Sequence, residues 1–169
     1  MHALGVELAG MLRPGDLVIL NGPLGAGKTT LTRGIGEGLG VRGPVTSPTF
    51  VLARSHPSLT GGAPLVHVDA YRLGSALELD DLDIDFAHSV VVVEWGSGML
   101  DGVAESWLEV DIVRPTGADA SDAAAADTRE DDDTGTDLGA GDGVDDDLDA
   151  DEPRRVTLTG YGPRWSDPA

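Results

Sequence analysis

Cysteine is absent from the 169-residue chain. That excludes disulfides, thiolate metal sites and cysteine nucleophiles, and it fits a reducing compartment. Positive charge is scarce: eleven Lys and Arg stand against thirty Asp and Glu, a formal charge of -19. A surface of that sign repels nucleic-acid backbones and anionic membranes, which argues against direct gripping of either. Long apolar runs are missing too; the longest are of five to eight residues, and Met1 to Leu12 has neither a basic start nor a small-residue cleavage site. No membrane helix and no leader peptide are read, and a cytoplasmic location is expected. Aromatic residues are few, and Trp95, Trp107 and Trp165 read as core anchors before base-stacking platforms, with Arg164 beside Trp165.

The length fits a single domain over residues 1–169. Its charge is concentrated in one place. Residues 116–152 hold fifteen acidic residues and one arginine (Arg129), so -14 of the -19 sits there and the remaining 132 residues are nearly ordinary. That stretch has no aromatic residue and only Leu138, Val144 and Leu148 as large aliphatics. Burial on that scale does not offset about 1–2 kcal/mol of backbone entropy per residue, so a disordered acidic insertion is expected. Apolar patterning resumes on both sides, in Ser106 to Val113 and Arg154 to Gly160, which places the insertion between two strands of one sheet. The aspartates match neither a calcium loop of the EF-hand type, since Asp131, Asp133 and Gly135 put glycine one place early, nor the Gly-rich nonapeptide repeat.

Elsewhere helices and strands alternate. Ala3, Leu4, Leu8, Met11 and Leu12 recur with helical spacing until Arg13-Pro14-Gly15 stops them. Asp16 to Leu20 is a continuous apolar run suited to a strand buried on both faces. Thr29 to Leu39 reads as a helix ending at Gly40, Pro48 to Arg54 as a strand and Ser55 to Pro64 as a turn. Leu65 to Val68 and Ser89 to Val93 are further strands, with a short helix over Leu77 to Leu82 between them. The pattern predicts an α/β fold with a largely parallel central sheet and C-terminal antiparallel strands.

Gly22-Pro23-Leu24-Gly25-Ala26-Gly27-Lys28-Thr29 matches GxxxxGK[ST] at every fixed position, between a predicted strand and a predicted helix. Gly22, Gly25, Ala26 and Gly27 let the backbone wrap a pyrophosphate with its N–H groups inward, and the helix start adds its positive dipole end. Lys28 is placed to reach the β and γ phosphates and the Thr29 hydroxyl to ligate Mg²⁺. Lys28 is also the one lysine in a chain with ten arginines. A compact ammonium on a flexible stem stands at the one place that needs it.

A magnesium site takes a carboxylate from the end of a neighbouring strand, and two are available, Asp69 and Glu94. At least one is expected at the metal; otherwise Glu94 faces solvent at a strand end and Asp69 caps a helix or turn. Ser47 and Thr49 either offer hydroxyls to the γ-phosphate or to an attacking water, or form a Ser-Pro-Thr turn. The guanine-reading Asn-Lys-x-Asp motif has no lysine to use. His67 reads as a packed strand residue before a ligand, and His2, His56 and His88 have no zinc spacing.

The succession of Gly22 to Gly34, Val45 to Leu52, His67 to Leu73 and Val91 to Gly96 closely resembles the bacterial TsaE family, formerly YjeE, and Arg154 to Trp165 is similar to that family's terminal strand. The resemblance implies an ATP-binding, three-layer fold of the P-loop NTPase kind with weak Mg²⁺-dependent hydrolysis to ADP, in the machinery that makes N6-threonylcarbamoyladenosine on tRNA. It implies docking on the TsaB and TsaD proteins, with tRNA met only indirectly. It assigns phosphate binding to Lys28, Mg²⁺ to Thr29 and the α-phosphate to Thr30. Glu94 matches the family's Mg²⁺ carboxylate, Asp69 its second acidic position, and Ser47 and Thr49 a switch-like loop. Two other classes share the loop: a small-molecule kinase, for which Ser75 to His88 offers no arginine-bearing lid, and a nucleotide-gated binding module without turnover.

Overall fold

The computed structural model describes residues 1–48, 50–75, 78–79, 81–98, 103–114 and 153–166. In chain order these form α1 (His2–Ala9), β1 (Leu17–Asn21), α2 (Lys28–Gly38), β2 (Ala53–His56), β3 (Leu65–Asp69), a 3₁₀ turn (Ala70–Arg72), β4 (Val90–Glu94), β5 (Trp107–Val113), β6 (Arg155–Tyr161) and α3 (Pro163–Ser166). The six strands make one sheet in the order β2-β3-β4-β1-β5-β6. The inner strands β3, β4, β1 and β5 run parallel. The edge strands β2 and β6 are antiparallel to their neighbours. The α/β class, the largely parallel sheet and the antiparallel C-terminal pair are as the sequence predicts.

Alternation along the inner strands sorts side chains into two cores. On one face Val18, Leu20, Leu65, Val90, Val92, Val110 and Ile112 pack with Leu8 of α1 and with Leu31 and Ile35 of α2. On the other, Leu17, Ile19, Val66, Val68, Val91 and Val93 are covered by Ala70, Leu73, Leu79, Ile84 and Phe86. The third layer is therefore largely a 3₁₀ turn and irregular chain among the described residues. The two helices meet backbone to backbone, since a Cβ on Gly5 would strike the Leu31 carbonyl and one on Gly34 the His2 carbonyl. No helix among the described residues is long and apolar enough to cross a membrane.

Two elements depart from their predicted bounds. The first helix ends at Ala9, because Gly10, Met11 and Leu12 donate to Glu7, Leu8 and Ala9 carbonyls and tighten the chain into i→i−3 turns before Pro14. The strand expected over Pro48 to Arg54 begins at Ala53. Val51 and Leu52 both donate to the Pro48 carbonyl, at 2.8 and 2.9 Å, and Leu52 takes a left-handed φ of 66°. That closes a turn where the apolar run suggested extension. Ser55 and His56, expected in the following turn, lie in β2. Of the helix predicted over Leu77 to Leu82, Glu78 and Leu79 are helical and Asp81 and Leu82 form a turn, while Leu77 and Asp80, like Thr49 and the acidic stretch 116–152, lie outside the described residues. The ends of β5 and β6 that face that stretch are register partners, Val113 opposite Arg155, so the chain leaves and re-enters the sheet at one place.

Candidate nucleotide-binding site

The parallel strands all end on the side where β1 hands over to α2, and a turn of glycines makes the crossing. Gly27 caps α2 with φ 101°, and a Cβ there would stand 2.9 Å from the Met1 side chain. Gly22 has φ 143°, and a Cβ would stand 2.6 Å from the Ile112 carbonyl. Only glycine tolerates both the torsion and the space at these two positions. Gly25 is also left-handed, while Ala26 is fully buried and donates its N–H to the Pro23 carbonyl at 3.1 Å.

Lys28 opens α2 and is 5% exposed. Its ammonium donates to the Gly22 carbonyl at 2.7 Å and the Pro23 carbonyl at 3.0 Å, and it lies 3.7 Å from the centre of the Trp95 ring. Burial pushes the Lys28 ammonium below the usual lysine range, and the Glu94 and Asp69 carboxylates oppose that shift. Thr29 Oγ1 donates to Glu94 Oε1 at 3.0 Å. Thr30 is half-buried one residue further along the helix.

Glu94 ends β4 and is 5% exposed. It accepts a second contact on the same oxygen, from His67 Nε2 at 2.8 Å. Asp69 ends β3 as the register partner of Glu94. Its carboxylate accepts the Tyr71 N–H at 3.1 Å, capping the 3₁₀ turn. Asp69 is thus a turn cap, one of its two sequence readings, beside Glu94 at the end of the neighbouring strand. Ser47 is exposed on the segment after α2, whose Thr46 Oγ1 accepts from Arg54 at 2.8 Å.

Sequence reasoning missed four neighbours of this site. His67 is packed in the core as expected, but it also holds the candidate metal carboxylate. Trp95, read as a core anchor, caps the Lys28 ammonium, meets the Tyr71 ring edge-on at 5.5 Å and adopts φ 66°. Arg114 Nη1 and Arg154 Nε lie 3.7 and 3.9 Å from where a Cβ would stand on Gly25 and Gly27. Only the His67 spacing left a signal: the alternation in His67-Val68-Asp69 puts the histidine on the same side of the strand as Asp69. Trp165 and Arg164 lie at the other end of the sheet, where Arg164 Nε donates to Asp16 Oδ1 at 3.1 Å.

The donor set suits a hard cation. Thr29, Glu94 and Asp69 offer oxygen, and no group of three His, Cys, Asp or Glu among the described residues forms a closed metal cage. One or two carboxylates completed by phosphate oxygens is the arrangement Mg²⁺ takes beside a nucleotide, so these residues fit it.

A family model described as the threonylcarbamoyl adenosine biosynthesis protein TsaE matches residues 1–121. The chain belongs to the TsaE family. Among TsaE relatives, the tRNA threonylcarbamoyladenosine biosynthesis protein TsaE of Streptomyces coelicolor is 52% identical over 98% of this chain and 94% of its own. The TsaE protein of Bacillus subtilis bearing the same description is 38% identical over 66% of this chain and 70% of its own. The crystal structure of Bacillus subtilis YdiB superimposes with a TM-score of 0.52 and 34% identity, covering 68% of this chain and 70% of that one. The Streptomyces coverage carries the similarity across the acidic stretch, beyond the residues that the TsaE model matches.

Proposed function

We propose that the chain binds ATP with Mg²⁺ at the Gly22 to Thr29 loop, hydrolyses it slowly to ADP, and so switches a TsaB–TsaD assembly during tRNA threonylcarbamoyladenosine formation in the cytoplasm. Family membership supports the pathway. The observation that carries the nucleotide reading is the 3.0 Å bond from Thr29 to Glu94, which joins the start of α2 to a carboxylate on the next strand. Lys28 binds the terminal phosphates by exchanging loop carbonyls for phosphate oxygens. Thr29 and Glu94 hold Mg²⁺, which neutralises charge developing between the β and γ phosphates when bound. Asp69 stands as the second carboxylate. Gly25 and Gly27 supply backbone N–H groups, Ala26 a third in exchange for its bond to the Pro23 carbonyl, Thr30 the α-phosphate contact, and Ser47 and Thr49 hydroxyls near the γ-phosphate.

An acidic protein of this kind does not hold tRNA itself. It acts on proteins that do, because a nucleotide shifts an assembly only between states that bind its carrier differently. Calorimetry with ATP and Mg²⁺, turnover with and without TsaB and TsaD, and recovery of those proteins on the immobilised chain test this reading. Binding and partner-stimulated turnover in the wild type, lost in Lys28→Ala, are expected; unchanged turnover in Lys28→Ala refutes it.

A further inference from the structure

His67 is fully buried in β3, yet packing does not call for a polar group there. Its companions on that side of the sheet, Leu65, Val90 and Val92, are apolar. Nδ1 is buried without a hydrogen-bond partner among the described residues. Nε2 lies 2.8 Å from Glu94 Oε1, and against a carboxylate only the Nε2–H tautomer makes that contact a hydrogen bond. An imidazole kept in the core with one nitrogen unpaired calls for a reason other than stability.

Register supplies the geometry of that reason. His67 faces Val92 and Asp69 faces Glu94 across the β3–β4 pair, so the histidine reaches Glu94 along the diagonal of one face. Thr29 Oγ1 arrives at the same Oε1 from the start of α2. Two donors from two elements converge on one oxygen, and Oε2 carries no hydrogen bond among the described residues. We infer that His67 is a positioning residue, which with Thr29 pins the Glu94 carboxylate so that Oε2 is presented to the divalent cation of a nucleotide complex. This inference rests on the nucleotide reading and adds the residue that sets its metal affinity. Partners that orient a metal ligand commonly contribute 10- to 100-fold to metal affinity.

Three variants and three readouts test it. In ligand-free wild type, two-bond ¹H–¹⁵N correlation spectra of His67 are expected to show a proton on Nε2, the atom 2.8 Å from Glu94 Oε1; an Nε2 without its proton overturns the inference. Mn²⁺ binding in the presence of ADP, read by electron paramagnetic resonance, is expected to weaken about 10- to 100-fold in His67→Leu, while calorimetry shows metal-free ADP affinity unchanged. His67→Gln carries an amide N–H near the Nε2 position and recovers most of the Mn²⁺ affinity. His67→Asn reaches only the Nδ1 position and behaves like His67→Leu, deciding the matter if the leucine variant does not fold. Wild-type Mn²⁺ affinity in His67→Leu or His67→Asn overturns the positioning role alone. Failure of the wild type to bind Mn²⁺ with ADP overturns the nucleotide reading and this inference with it.

Discussion

The two ends of the sheet bury charge in opposite ways. At the start of β1, Asp16 is 5% exposed, and its carboxylate accepts from Arg164 Nε and Nη2 and from the Arg13 N–H. Arg164 also donates to the Met11 carbonyl and lies 4.2 Å from the Trp165 ring, so both charged groups of that cluster are paired and tie the C-terminal α3 to the start of β1. At the finish of β1, Lys28 is held by loop carbonyls and a ring with its carboxylates further off, and His67 keeps an unpaired nitrogen. One end satisfies its charges for stability. The other leaves them short of partners, as a site does when a ligand completes it.

The largest effect that sharpens this contrast is on stability. Asp16→Ala strands a guanidinium and an N–H, and is expected to lower unfolding free energy in urea by about 2–3 kcal/mol with ATP affinity unchanged. Next, Lys28→Ala is expected to weaken ATP binding about 100-fold in calorimetry, some 2.7 kcal/mol, while moving urea stability by less than about 1 kcal/mol. A loss of stability in Lys28→Ala equal to that in Asp16→Ala would erase the distinction between the two ends.

Smaller effects probe the packing that carries the site. Gly34→Ala forces a methyl onto the His2 carbonyl, and after the gain in helix propensity it is expected to cost about 1–2 kcal/mol in urea denaturation. The smallest expected effect is pH-linked. Burial lowers the His56 pKa below 6.5, only partly opposed by its bond to the Arg42 carbonyl, so the unfolded chain binds the proton more readily than the folded one. That contribution is fully present above pH 6.5 and is lost as pH falls through the folded value. Denaturation near pH 7.5 and pH 5.5 is therefore expected to show a larger acid loss in wild type than in His56→Gln. Equal losses would show that burial of His56 carries no linkage.

The loop from Gly22 to Thr29 was legible because its chemistry is local: backbone torsions, one ammonium and one hydroxyl follow each other in the chain. The buried strands were legible for a similar reason, since Leu17–Leu20 and Val90–Val93 are apolar without interruption. The start of β2 was not. Val51 and Leu52 carry strand-like side chains, but Pro48 offers a carbonyl that both of their N–H groups reach, and the turn outcompetes extension. Asp69 and Glu94 could be named as strand-end acids from the chain, though not which of them meets Thr29. That depends on β4 lying next to β1 with β3 one strand further out.

Sequence by itself determined the alternation of helix and strand, the glycine turn with its lone lysine, and the segregation of acidic charge into 116–152. Each is a property of neighbouring residues and needs no fold to express it. Tertiary structure alone decided that Glu94 receives Thr29 and His67 on one oxygen, that Trp95 covers Lys28, and that Arg164 reaches back to Asp16. Those contacts join residues 27 to 148 positions apart, and pairing at such separations is set by strand order and register, which no local preference encodes.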